Sequence, residues 1–539
     1  MKRIRRNLLI FASLIGLLPT QACATQSPAP SRTPAARRSP IGTGLDPLTS
    51  WNAELPFLDI FKTSGSWMSG TADVWDDHRT LDLDEHGWVR SLRPGQRAMT
   101  LMMFGSQLWV NSAYRGQMGR YTVLYDGEGT LEYYGARVVE SQPGRDVIEL
   151  QPQPNEGLGL TITSVNPRNY LRNIRVLMPG ATAGETFNPR FLEGLRGYSV
   201  VRFLAWMVGP SVEDYAVTPH TWATRPTRED ARWEAISRGA PVEVMVDLSN
   251  RIHANPWFSI PHLAGDDFVR RFAETVRASL DPGLKVYVEH SNEVWNASYR
   301  SQYDYAAQRG LALGLSSDPD QARQRYHALR TRQIGAIFRE VLGRDRVVVV
   351  LATQDSVASI SEEMLSWNGT AADVDALATA PYFGYELGLK ENEPRVAQMS
   401  LDDLFRELET NLIPIMNSGT EQQAAIARKY NLPLISYEGG QHLANLEGGA
   451  IPRVEALFDA ANRDPRMGRL YSKYLEDWNR ITGGGLWVHL MSCGEAGRGG
   501  RWGAVEYLGQ PRSEAPKYDA IQKWLEQGAA PQASTGSQR

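Results

Sequence analysis

From about residue 190 onward the sequence alternates short apolar runs with stretches of helical period, and this alternation leaves few folds open to the chain. The runs are "YSVVRFLAW", "PVEVMVDLS", "LKVYVEHSN", "RVVVVLATQ", "DVDALATAPY", "LPLISYE" and "GGLWVHLMS". Between the second and third, Phe268, Phe272, Val276 and Leu280 recur at helical spacing behind Asp266 and Asp267, the pattern of an amphipathic helix with an acidic start. A second helix over about 321–342 carries Tyr326, Leu329, Ile337 and Val341. Strands and helices in this order imply parallel βα units. Seven runs fall one short of the eight strands of a closed (β/α)8 TIM barrel. The expected first strand is "LPFLDIFK", 55–62, within a segment 51–65. An open sheet with separate domains is the other arrangement.

Ahead of these units lies a different texture. Runs such as "GRYTVLYDGEGTLEYYGARVVE", "DVIELQPQ" and "GLTITSV" are separated by Gly, Asp, Asn and Pro turns, as in an antiparallel β-sandwich. The expected organisation is a β-sandwich accessory module at 66–180, inserted after the first barrel strand or lying N-terminal to the barrel, and an α/β barrel over 181–525. Residues 25–50, "TQSPAPSRTPAARRSPIGTGLDPLTS", hold few large apolar side chains and read as a disordered linker, and 526–539 as a disordered tail.

The first 24 residues read as an export signal, with Lys2, Arg3, Arg5 and Arg6 ahead of the apolar run "LLIFASLIGLL". Ala22-Cys23-Ala24 fits cleavage after Ala24. Ala22-Cys23 also resembles the end of a lipobox, which would put a lipid anchor for the outer membrane on Cys23. The expected location is secreted or periplasmic, or membrane-anchored as a lipoprotein. The only cysteines are Cys23 and Cys493, so no disulfide and no cysteine zinc site is expected. With Lys plus Arg at 57 against 61 acidic residues, the net charge of −4 gives no basic footprint for nucleic acid. The sequence has no HExxH, GxxxxGK or GxSxG motif, which disfavours zinc-peptidase, nucleotide and serine-hydrolase chemistry. "DLDEHG", 82–87, imitates the start of a calcium loop, but its twelfth position is Arg93. No metal or cofactor is expected.

In a (β/α)8 barrel the chemistry sits at the C-terminal ends of the strands, so acids that end strand runs carry the most weight. Glu293 ends "KVYVEHSN" and Glu438 ends "PLISY", the fourth and seventh strands by this count. Two carboxyl groups facing each other across a cleft suit glycoside hydrolysis with retention. One attacks the anomeric carbon, and the other, with a raised pKa, protonates the leaving oxygen. Taken singly, each is equally a surface or salt-bridged acid. Trp206, Trp257, Trp295 and Trp487 are either core indoles or stacking surfaces for sugars. His253 and His262, in "NRIHANPWFSIPHLAGDD", are expected on the loop after the third strand, lining the cleft.

Asn292-Glu293 after the fourth strand and Glu438 after the seventh resemble clan A of the glycoside hydrolases. The longer string "EHSNEVWN" is similar to a group of bacterial exported proteins described as cellulose-binding or glycosidase-like, a likeness spanning roughly 55–525. The resemblance implies that Glu293 is the acid/base and Glu438 the nucleophile. It also implies that Arg202 in "VVRFLAW" holds Glu438 ionised, that Tyr382 in "APYFG" hydrogen-bonds it, and that Trp487 in "GGLWVHL" floors the sugar site. Asn292 would donate to the sugar 2-hydroxyl. One position departs from the expected pattern, Ala205 standing where an acid belongs in "RFLAW". The implied partner is a β-linked glycan. The alternative is a non-catalytic, polysaccharide-binding envelope protein on the same barrel.

Overall fold

A computed structural model describes residues 38–103, 118–151, 157–181, 184–207, 220–234, 238–445 and 451–529. The expected signal segment, and Cys23 with it, lies outside these residues. Eight strands form one parallel sheet: β1 (Ile41–Gly44), β2 (Val200–Arg202), β3 (Asn255–Ile260), β4 (Val286–His290), β5 (Val347–Ala352), β6 (Ala376–Thr379), β7 (Leu434–Ser436) and β8 (Trp487–His489). They pair in the order β7-β6-β5-β4-β3-β2-β1-β8. The sheet closes between β7 and β8. There the Ser436 N–H donates to the Leu486 carbonyl at 2.9 Å, and the Ser436 hydroxyl accepts the Val488 N–H at 2.8 Å.

Alternation along each strand sorts side chains to the two faces of this barrel. Val200, Val350, Ala376, Ala378 and Val488 fill the interior, whereas Val201, Val349 and Leu377 join the larger apolar cluster shared with the helices. The expected helices are present. Asp266–Ser279 starts on two acids and buries Phe268, Phe272 and Val276. Pro319–Leu342 begins at Asp318, whose carboxylate accepts the Gln321 N–H at 2.8 Å.

Two strand assignments are corrected. "LPFLDIFK" is not a barrel strand: Ile60–Thr63 is a 3-10 turn capped by Asp59, and Phe57 and Asp59 make isolated bridges to Phe187 and Leu177. The first barrel strand is Ile41–Gly44, inside the stretch expected to be a disordered linker, which is therefore ordered from residue 38. Its composition hides it. A Cβ on Gly42 would lie 3.0 Å from Val200 O and from Val488 Cγ2, and one on Gly44 only 2.1 Å from Leu490 O. Closing the barrel at this point requires bare backbone, so the strand lacks the apolar pattern that marks the others. Gly44→Ala is expected to destabilise the fold by about 2–3 kcal/mol, read as a lower urea midpoint.

The second correction concerns "PVEVMVDLS", which is the helix Val242–Ile252. It is buried over most of its girth, with Glu243, Asp247, Asn250 and Arg251 on the open side, and the true third strand follows as "NPWFSI". Helix and strand are adjacent, so β4 and β7 keep the ordinal positions expected of them. The C-terminal helix also runs through Pro516–Ala529, into the expected tail. It meets the start of the described chain: the Arg38 guanidinium lies 4.1 Å from the Trp524 ring centroid, and the Trp524 indole N–H donates to Ser39 O at 3.0 Å.

Between β1 and β2 the chain builds two four-stranded antiparallel sheets. One orders Met68–Gly70, Arg97–Met102, Leu158–Val165 and Gly129–Tyr134. The other orders Arg172–Leu177, Arg120–Asp126, Arg145–Leu150 and Ala136–Gln142. Both contribute fully buried side chains to the large cluster, among them Leu160, Ile162, Tyr121 and Ile148.

Candidate active site

Strand parity places one arginine and one carboxylate inside the barrel. On β2, Val200 faces inward, and Arg202, two residues on, lies buried below the mouth. On β4, Tyr287 packs against the interior cluster, and Glu289, two residues on, is 1% exposed. A buried carboxylate needs donors, and Glu289 has them on every side. Arg202 Nε and Nη2 reach its oxygens at 3.1–3.2 Å, the Trp257 indole N–H at 2.7 Å and the Ser259 hydroxyl at 3.2 Å. Burial pushes the Glu289 carboxyl up, and Arg202 opposes the shift. Burial also disfavours the Arg202 cation, but Glu289 and Glu438 outweigh it and its pKa is raised.

The rest of the guanidinium organises the mouth. Arg202 Nη1 donates to Glu438 Oε2 at 2.6 Å, and Nη2 to Asn292 Oδ1 at 3.1 Å. Because Asn292 accepts with its oxygen, its amide N–H groups are left as donors. The Tyr382 hydroxyl donates to the other Glu438 oxygen at 2.9 Å, and burial, followed by the nearby Glu438 charge, pushes that phenol well up. Tyr382–Phe383 pairs in parallel with Gly440–Gln441, a short ladder that carries β6 and β7 past the barrel rim and fixes Tyr382 beside Glu438.

Glu293 sits on strained backbone. Ser291 and Glu293 have φ of +59° and +42°, a left-handed conformation that costs about 1–2 kcal/mol per non-glycine residue. Three hydrogen bonds hold the turn: Ser291 N–H to Ile260 O (2.7 Å), Asn296 N–H to Glu293 O (2.8 Å) and Gln302 Nε2 to Asn292 O (3.0 Å). The Glu293 carboxyl accepts from the Tyr437 hydroxyl at 3.0 Å and from Asn296 Nδ2 at 2.8 Å. Tyr437 directly precedes Glu438, so one stretch of chain after β7 supplies both a partner to Glu293 and the opposing carboxylate. Both acids are 8% exposed, so solvent and ligand reach them while they remain shielded.

Burial first, and the Glu438 charge second, raise Glu293 to about 7, with Asn296, Tyr437 and Arg202 acting against the shift. A group that must carry a proton to act is lost as pH rises through its pKa. An acid role for Glu293 therefore predicts that kcat/KM falls as pH rises through about 7. Tyr437→Phe removes a bond that favours the ionised form, so its alkaline limb should move to higher pH; kcat/KM profiles of both proteins check this.

The structure brings together Glu293, Glu438, Arg202, Asn292 and Tyr382, and it places Trp487, His253 and His262 away from them. Trp487 is fully buried on the outer side of β8, its indole N–H donating to the Tyr474 hydroxyl at 2.9 Å, so it offers no face to a sugar. Parity explains this: Val488 takes the inward position. His253 caps the helix Val242–Ile252, exposed and ahead of β3, at the end of the barrel opposite the acids. His262 follows β3 but is 2% exposed and packs edge-on against Tyr305, at 5.4 Å between ring centroids. Trp295 is half-buried beside Glu293, and its indole N–H has no partner among the described residues. Trp257 supports Glu289, and Trp206 packs on Phe57 and Phe203 in the core.

Sequence reading missed Glu289, Tyr437 and Asn296. Glu289 had a signal: an acid inside an apolar barrel strand, two residues from Tyr287 on the same face, requires a buried cation. Among the described residues no group of three or more His, Cys, Asp or Glu side chains is placed to hold a metal ion.

No family model matches the sequence, and no curated protein matches it. Solved structures similar to the chain include a family 51 alpha-L-arabinofuranosidase from Bifidobacterium longum, at 11% identity and a TM-score of 0.38, covering 58% of this chain and 63% of that one. An endo-beta-1,4-mannanase from Cellulomonas fimi aligns at 11% identity and a TM-score of 0.34, covering 64% of this chain and 67% of its own. The CBM22-1-GH10 modules of Clostridium thermocellum endo-1,4-beta-D-xylanase 10B align at 9% identity and a TM-score of 0.35, covering 89% and 97%. The chain thus spans less than two thirds of the first of these. These neighbours are glycosidases.

Proposed function

We propose that this protein is a retaining glycoside hydrolase that cleaves a β-linked oligo- or polysaccharide by double displacement. The observation that carries the reading is one barrel mouth holding two carboxyl groups in unlike settings. Glu438 is ion-paired to Arg202 and bonded by Tyr382, while Glu293 is shielded and raised to about 7. Unlike environments for two facing carboxyls separate a nucleophile from an acid.

Glu438 attacks the anomeric carbon as Glu293 gives its proton to the departing oxygen, leaving a glycosyl ester on Glu438. Glu293, now ionised, takes a proton from water, which attacks the same carbon and releases Glu438. Asn292, held by Arg202, is set to donate to a sugar hydroxyl beside Glu438. In this reading the two antiparallel sheets are a β-sandwich accessory module, and the enzyme is exported, secreted, periplasmic or lipid-anchored through Cys23, so that it meets polymer outside the cytoplasm.

Incubation with a panel of β-linked polysaccharides tests the proposal, scored by new reducing ends and by proton NMR of the first-formed anomer. Release of the β-anomer is expected. Release of the α-anomer would replace retention by inversion, and retention of polymer with no product would make the protein a binder.

A further inference from the structure

Loops after β6, β7 and β8 converge on the Glu438 side of the mouth and bring four rings together. Tyr382, which hydrogen-bonds Glu438, lies edge-on to His442 at 5.5 Å and to Trp502 at 5.8 Å between ring centroids. His442 also meets Trp502 at 4.6 Å and Tyr385 at 5.0 Å, each within 10° of perpendicular. These rings are not a closed core. Tyr385 is 46% exposed, and Trp502 and His442 are half-buried.

The cluster is held stiffly. The His442 N–H donates to Phe383 O at 2.7 Å, continuing the ladder past the rim. Trp502 lies over the glycine turn 497–500, its indole N–H donating to Gly499 O at 2.8 Å. A Cβ on Gly500, whose φ is +131°, would lie 2.1 Å from that indole nitrogen, so the bare turn is what lets the ring lie down. His442 Nδ1 is buried within the cluster. Burial lowers His442 to about 4, so the ring is neutral near pH 7.

We propose that Trp502, His442 and Tyr385 form a stacking subsite for a neutral pyranosyl unit on the Glu438 side of the cleft. Axial C–H bonds give a pyranose an apolar face that packs on aromatic rings. None of the three ring side chains is a fixed cation that would pair with a uronic carboxylate, so the favoured unit is an uncharged sugar. The subsite rests on the hydrolase reading for its place on the side of the nucleophile, but its binding is measurable without turnover.

The test uses the full chain carrying Glu438→Gln and titrates cellohexaose, mannohexaose, xylohexaose and hexagalacturonate by calorimetry. At least one neutral hexaose should bind, with Trp502→Ala weakening it about ten-fold or more and Tyr385→Ala and His442→Ala each by a smaller factor. Trp502→Phe and the exposed Tyr385→Ala keep the test open if Trp502→Ala fails to fold. The proposal is overturned by hexagalacturonate binding as well as the neutral sugars, by no neutral hexaose binding, or by unaltered affinity in folded Trp502 and Tyr385 variants. Turnover in the Glu438 protein that ignores Trp502 sinks the subsite alone. Binding that depends on Trp502, with no turnover of any glycan by the Glu438 protein, sinks the hydrolase reading and leaves the subsite standing.

Discussion

Glu438→Ala is expected to lower kcat on an aryl β-glycoside by about 10⁴-fold or more, because no side chain is left to form the glycosyl ester. Arg202 keeps the bidentate bond to Glu289 and loses the one to Glu438, which lowers stability as well, so kcat is read on protein shown to be folded by circular dichroism. Glu438→Gly with azide should regain turnover and give the glycosyl azide of inverted configuration, since azide attacks from the vacated face in a single displacement. Glu293→Ala differs in kind. Losing the acid costs about 10²–10⁴-fold for a poor leaving group and far less for an activated one, and azide should then give a product of retained configuration. Wild-type turnover in Glu438→Ala ends the assignment.

The second large effect belongs to a residue that touches no substrate. Glu289→Gln leaves Arg202, which cannot deprotonate, buried with one carboxylate where there were two. Removing one partner of a buried pair costs about 3–5 kcal/mol, to be read by urea unfolding. The same change frees the guanidinium to shift toward Glu438 and loosens its hold on Asn292, so kcat should fall in the protein that remains folded. Adding Arg202→Met should restore part of the stability and none of the activity. Full activity in Glu289→Gln would remove Glu289 from the positioning of the site.

The readable parts of this fold are those where burial writes itself into composition. The run "VVVV", 347–350, is covered on both faces and carries valine on both. Ile41–Gly44 is just as central and could not be found by the same rule, since close approach of its neighbours selects glycine. The valines of 242–246 serve a helix, because period depends on which positions are buried, and β-branched residues alone do not reveal it. At the site, Glu293 and Glu438 were legible as acids ending strand runs. Trp487 was not, because β8 is three residues long and a shift of one residue exchanges its two faces. Glu289 lay in plain view, but its importance depends on Arg202, which only the closed ring of strands brings near.

The meeting of β1 with β8, and of Arg38 with Trp524, bears on how the molecule is made. Contacts between such distant segments make closure a late event and slow overall folding. A nascent chain therefore keeps its first barrel strand waiting, with one edge unsatisfied, until Trp487–His489 has been made.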